Sequence, residues 1–227
     1  MIEFLKGISW SSAAGIVFGA AISALVAYLL QRNSFAEARK QNDADRKEVR
    51  KALGLSLMFK MVKVCSELQN LGNAVQECFE RARKDNFKGM PFQIVMPIVP
   101  LPDPIHFSPD EMALILSIDH NLFNEMEALD ELHNNTVGLF DLYNTKRGQL
   151  LDQLGAEMTG NIGATSLSQD QRKWFEPQAV QLNGLVEAMK QRTKRDATEA
   201  WAALEKLQRL LSEEFSMSLN LERKPPK

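Results

Sequence analysis

"SSAAGIVFGAAISALVAYLL", residues 11–30, contains no charged side chain and is rich in Ser, Ala and Gly. The run extends beyond the quotation: no Asp, Glu, Lys, Arg or His occurs between Lys6 and Arg32, which leaves 25 residues. About 20 apolar helical residues cross a bilayer core, so the stretch is long enough to span with some tilt. Trp10 and Tyr28 lie 18 residues apart, roughly 27 Å along a helix axis, where interfacial aromatic anchors belong. A cleaved signal needs a compact apolar core and then a small-residue site. Here the apolar run continues past Ala24 and Ala27 to Leu30. The expectation is a retained signal-anchor, residues 1–31, and a soluble core helix is disfavoured because no polar face interrupts the run.

The flanks set its orientation. Before the span stand only Lys6 and Glu3; after it come Arg32, Arg39, Lys40, Arg46, Lys47, Arg50 and Lys51. The positive-inside rule then puts the N-terminus out and the large C-terminal part in the cytoplasm. Arg32, Arg39, Lys40, Arg46 and Lys47 are placed to meet anionic lipid headgroups. Within the span, Ser11, Gly15, Gly19, Ser23 and Ala27 recur every four positions and line one side of a helix. Such small-xxx-small stripes let helix backbones approach in lipid, so the span is read as a helix–helix contact and the protein as a homo-oligomer.

Residues 32–52 are helix-forming, with (i, i+4) pairs such as Asp43 with Lys47, but show no continuous apolar face. They read as a charged helical stalk. From Leu53 the pattern changes: Leu53, Leu57, Met61, Leu68, Leu71, Val75 and Cys78 recur near period 3.6 and predict an amphipathic helix to about Lys84. A second such helix is predicted from Pro109 to about Gly155, opened by a Ser108/Glu111 capping box and weakened near Asn134, Asn135 and Gly138. A third follows a Gly/Ser/Thr-rich loop at 155–168, opens on Ser168 and Gln171, and runs to about Met217 with a kink at Pro177. Residues 218–227 read as a flexible tail.

Six of the nine prolines fall between Pro91 and Pro109. Proline forbids continuous helix, so residues 89–108 are expected to be extended. Phe92, Ile94, Val95, Ile98, Val99 and Leu101 make this connection too apolar for a solvated linker. Either it is a crossover packed across the bundle or a strap that docks a protein partner. The fold class that results is all-α: an N-terminal transmembrane helix, then a cytoplasmic bundle at 53–217 of about three long antiparallel helices, joined up-down-up, with a proline-rich extended connection.

Chemistry is sparse. Cys65 and Cys78 lie 13 positions apart on one predicted helix, about 20 Å along its axis and too far for a disulfide within it. Of the three histidines, His133 follows Glu127, Asp130 and Glu131, and Asp130-x-x-His133 imitates half of a helical metal site. A di-metal bundle needs a second such motif, and the sequence has none. No P-loop, nucleophile elbow, dinucleotide fingerprint or C-x-x-C occurs. Charge is uneven: residues 32–88 carry 13 Lys/Arg against 8 Asp/Glu, and residues 89–163 carry 2 against 11. Opposite signs on neighbouring helices suit packing within a bundle. The basic segment contains one aromatic, Phe35, and adjoins the span, which disfavours nucleic acid. The reading is a non-enzymatic, single-pass scaffold or interaction protein of the cell membrane, without cofactor or metal. Its partners are the bilayer, a second copy and an unidentified protein. The alternatives are a small oligomeric pore and, behind it, a metal-dependent enzyme.

Overall fold

The computed structural model describes the backbone of residues 10–154, 157–159, 162–164 and 167–219, and the side chains of Ser23, residues 25–154 and residues 167–219. The chain divides into two compact units, Met1–Arg50 and Lys51–Lys227. The fold is almost wholly helical, as expected: α1 (Trp10–Lys84), α2 (Pro91–Ile94), α3 (Pro109–Ile118), α4 (His120–Leu154) and α5 (Gln169–Phe215). Between α4 and α5 stand two three-residue strands, β1 (Glu157–Thr159) and β2 (Ile162–Ala164). Among the described residues, no helix is long and apolar enough to cross a membrane. The side chains of Trp10, Ser11, Gly15 and Gly19 lie outside the described residues.

In the first unit α1 is exposed at Ser23 and throughout residues 25–49. Residues 32–52, read as a charged helical stalk, lie within α1. No Gly or Pro stands between Gly19 and Gly54 to interrupt it. The helix ends where Asn86 takes a left-handed φ of 53°, with Phe87 N–H returning to Ala82 O at 2.8 Å. Asn tolerates that conformation, and Arg81, Arg83 and Lys84 complement the negative end of the helix.

The second unit holds two apolar clusters along one bundle. The lower one joins Leu57–Leu68 of α1, Ile105, Leu114 and Ile115, Leu122–Leu129 of α4, and Ala200–Phe215 of α5. The upper one joins Leu71 and Val75 of α1, Phe92 and Val95, Val137–Leu150 of α4, and Ala179–Met189 of α5. Within the bundle, Leu57–Leu68 of α1 thus meets early α4 and late α5, and the later turns of α1 meet late α4 and early α5. It follows that α4 runs parallel to α1, and only α5 is antiparallel to both.

This corrects the up-down-up expectation. The proline-rich connection carries the chain back along the bundle before α4 climbs again, so a loop long enough to return the chain replaces a descending helix. Gly72 marks a close crossing of α1 and α5, where a Cβ would lie 3.2 Å from Thr193 Oγ1. At Gly54 it would lie 2.8 Å from Leu211 Cδ2.

Both predicted capping boxes form. Ser108 N–H donates to Glu111 Oε2 at 2.7 Å and Ser108 Oγ accepts from Glu111 N–H at 3.2 Å. Ser168 and Gln171 repeat the pattern at 2.9 and 3.3 Å. The second predicted helix, however, breaks at Asp119 and not at Asn134, Asn135 or Gly138. Asp119 is extended at φ −145°, ψ 110°, and its Oδ1 accepts from Asn121 N–H and Leu122 N–H at 2.8 and 3.0 Å. It therefore caps α4 as an Asp at such a position should.

The loop expected at 155–168 contains the antiparallel pair β1–β2, with Glu157 opposite Ala164 and Thr159 opposite Ile162. Gly160 and Asn161 stand between the strands, a dipeptide of the kind two-residue hairpin loops favour. Pro177 lies inside α5. Met217 and Leu219 pack against the lower cluster; the rest of the expected tail, residues 220–227, lies outside the described residues.

Candidate functional site

The candidate site with the densest polar chemistry is the boundary between the two clusters and the underside of the proline-rich return. His133, Thr136 and Asp196 are fully buried there, and Thr193 nearly so. Thr136 Oγ1 donates to Asp196 Oδ2 at 2.8 Å, and Arg195 Nε donates to Asp196 Oδ1 at 2.9 Å. Thr193 Oγ1 donates back to Met189 O at 2.8 Å. Every one of these buried groups has a partner, as burial of a polar group demands.

His133 is held at both ring nitrogens. Nε2 lies 2.9 Å from Glu67 Oε2, and Nδ1 lies 3.1 Å from Asn134 Oδ1. The Asn134 amide is itself oriented by the return segment: Ile105 N–H donates to its Oδ1 at 3.0 Å and its Nδ2 donates to Ile105 O at 2.9 Å. Both ring nitrogens therefore have oxygen partners, which fixes the orientation of the buried ring. Lys63 stands 3.7 Å from the other oxygen of Glu67. Asp130, three residues before His133, turns to the return segment instead. Its Oδ1 accepts from Phe107 N–H at 3.0 Å and its Oδ2 lies 3.3 Å from His106 Nδ1. The Asp130-x-x-His133 motif is thus divided between two networks. Among the described residues, no group of three or more His, Cys, Asp or Glu converges as a metal site would require.

The rest of the return segment is held by α4 in the same manner. Tyr143 OH donates to Val95 O at 2.5 Å and lies 3.1 Å from Phe92 O. Arg147 Nε donates to Phe92 O at 3.2 Å, and Asn144 Nδ2 donates to Ile98 O at 2.9 Å. From α5, Asn183 Oδ1 accepts from Phe92 N–H at 3.1 Å. The segment, expected to be extended throughout, forms one helical turn at α2, and beyond it the prolines leave few backbone N–H donors for the remaining carbonyls. Side chains of α4 supply the donors, and burial holds Tyr143 as the neutral phenol, its pKa raised well above the usual value despite the Arg147 charge beside it.

Lower down, Glu111 is almost fully buried and receives Ser56 Oγ at 2.6 Å and Lys60 Nζ at 2.7 Å. Burial pushes its pKa up, but the bonds from Lys60, Ser56 and Ser108 outweigh that and hold the carboxyl below the usual range.

The six apolar residues of the return do not share one environment. Phe92 and Val95 are buried, Ile94 is half-buried, Ile98 and Leu101 pack partly against the upper cluster, and Val99 is 80% exposed. Ser23, Ala27, Tyr28, Arg32, Arg39, Lys40, Arg46 and Lys47 are exposed on α1. In the second unit, beside the lower cluster, a cleft of about 320 Å³ opens between Phe107, Met112 and Phe123, rimmed by Glu127, Asp130 and Glu131.

Glu67, Thr136, Asp196 and Arg147 are not among the residues the sequence singles out, and Tyr143 enters there only as part of the second helix's apolar stripe. A polar residue on an apolar helical stripe is the signal they carry, and only pairing across the bundle gives it meaning. No family model, curated protein or solved structure matches this sequence.

Proposed function

We propose that this protein is a single-pass, membrane-anchored helical scaffold, non-enzymatic, that self-associates through its span and presents the bundle on the cytoplasmic face. The observation that carries the reading is the uncharged run of 25 residues between Lys6 and Arg32, followed by seven Lys/Arg spread from Arg32 to Lys51. Such a run meets the length a bilayer requires, and its flank has the charge asymmetry that orients a span. The bundle supports the non-enzymatic part. His133, Glu67, Asp196, Tyr143, Arg147 and Glu111 each bond to another part of the chain. Their chemistry is used to hold the return segment and the helix register. That is the economy of a module built to present surfaces.

Self-association through the span is tested by replacing Gly15 and Gly19 together with Leu, in the full chain and in the span fused to a monomeric reporter. Leu keeps the segment apolar and insertable but separates the backbones. The double variant should reach the membrane at normal levels and crosslink poorly, while Leu at Val17 and Val26, off the stripe, leaves crosslinking unchanged. Equal crosslinking of the stripe variant and the parent would refute the contact.

A further inference from the structure

The exposed part of α1 in the first unit carries a pattern of which anchoring uses only the first member, Tyr28. Tyr28, Phe35 and Val49 are 62%, 60% and 61% exposed. They are large apolar side chains on a stretch whose other residues are mostly polar, and exposed Asn42 completes the series 28, 35, 42, 49. Residues seven apart on a helix drift by only about 20° per step, so the four form one line. Three positions beyond each of the first three stand Gln31, Ala38 and Asp45; four beyond stand Arg32, Arg39 and Arg46. One position before Phe35, Asn42 and Val49 stand Ser34, Gln41 and Glu48.

We propose that this line is the seam of a parallel, in-register two-stranded coiled coil between two copies of the chain. The seam is complementary to itself. Asn42 in the middle of an apolar line meets Asn42 of the second copy, where each amide offers a donor and an acceptor; a wholly apolar partner would leave it unpaired. The flanks fix the direction. Arg32, Arg39 and Arg46 share one flank, and an antiparallel pair sets that flank against itself, arginine against arginine. A parallel pair sets it against the other flank, where Ser34 approaches Arg39 and Gln41 approaches Arg46 of the second copy without like charges on the flanks, while Asp45 meets Asp45 in the seam.

Asn42 and Asp45 in the seam cost stability, so the line specifies register more than it supplies affinity. Two copies held in one membrane meet at high effective concentration, which is where a weak specifying seam operates. To that extent the inference rests on the anchoring reading; the self-complementarity and the flank charges do not.

The test is disulfide crosslinking of the full chain in membranes, in a Cys65→Ala, Cys78→Ala background, with single cysteines at Phe35, Asn42 or Val49, or on the opposite face at Asn33, Lys40 or Lys47. Seam cysteines should give homodimers at least fivefold more efficiently than the opposite face. A photo-crosslinking residue in place of Phe35 in the native-cysteine chain provides the same readout without the background substitutions and should capture a second copy. Equal yields on both faces, a 35-to-49 product on co-expression of those two variants with no 42-to-42 product from the Asn42 variant, or capture of a different protein with no homodimer would overturn the proposal. The Gly15→Leu, Gly19→Leu chain separates the two readings: if it loses association in the span-only fusion but retains the 42-to-42 crosslink, the span contact is unaffected by the seam and the seam stands. A span that associates without any seam crosslink leaves anchoring intact and removes the coiled coil.

Discussion

Removing one oxygen atom from Tyr143 should loosen the return segment while leaving the apolar packing almost untouched. Tyr143 is fully buried, and its hydroxyl serves Val95 O at 2.5 Å and Phe92 O at 3.1 Å. In Tyr143→Phe the ring keeps its contacts with the upper cluster, and Phe92 O keeps Arg147 Nε at 3.2 Å. Val95 O, on a residue with no exposure, loses its hydroxyl donor. An unsatisfied buried acceptor costs about 1–3 kcal/mol, so the expected loss is about 2 kcal/mol. For a chain of this size that corresponds to a fall in melting temperature of about 4–8 °C. The assay is thermal unfolding by circular dichroism, paired with native-state cleavage by thermolysin, which cuts beside apolar residues such as Ile98 and Leu101. Cleavage in the return should accelerate before the helices are cut. A shift below about 1 °C with unchanged cleavage would show that the hydroxyl does not hold the segment.

Glu111 gives a pH signature whose sign follows from its lowered pKa. A carboxyl depressed in the fold adds stability above its unfolded value, near 4.5, and that stability is lost as pH falls through the folded value. Glu111→Gln should therefore be less stable than the parent at pH 7, with the gap closing below about pH 4 in acid titrations followed by denaturant melts; a pH-independent gap would contradict the assignment. Two glycines should respond oppositely. Gly184 has open space beside it, so Gly184→Ala should stabilise by about 0.5–1 kcal/mol. Gly54→Leu must displace Leu211 and Phe215 and should destabilise by about 1–3 kcal/mol. Chemical denaturation of both variants checks the contrast, and equal effects would remove the close approach at Gly54.

The sequence made local structure legible and long-range pairing illegible. Ser108 with Glu111 and Ser168 with Gln171 announced two helix starts because a cap is settled within four residues. The stripes at Leu57–Val75 and Leu182–Leu211 told which faces are buried, since period 3.6 needs no partner to be read. Direction did not follow from them: an amphipathic helix is indifferent to whether its neighbour runs up or down, and only the length of the 85–108 connection hinted at a return. Asp119 was passed over because Ile118 and Leu122 continue the apolar stripe across it, while its extended backbone and capping bonds break the helix there. Glu67 and His133 lie 66 positions apart, so neither residue advertises the other. The exposed row of Tyr28, Phe35, Asn42 and Val49 was visible only as a segment without a face. Its seven-residue spacing became informative once those side chains proved to be exposed.

The central claim is that residues before Arg32 hold the bundle to a membrane. Alkaline carbonate extraction tests it most directly, applied to membranes from cells that express the full chain or a chain beginning at residue 33. Carbonate strips peripheral proteins and leaves integrated helices in the pellet. The account predicts that the full chain stays with the membrane pellet and that the shortened chain is recovered, folded and strongly helical, in the soluble fraction. Release of the full chain into the carbonate supernatant would contradict it.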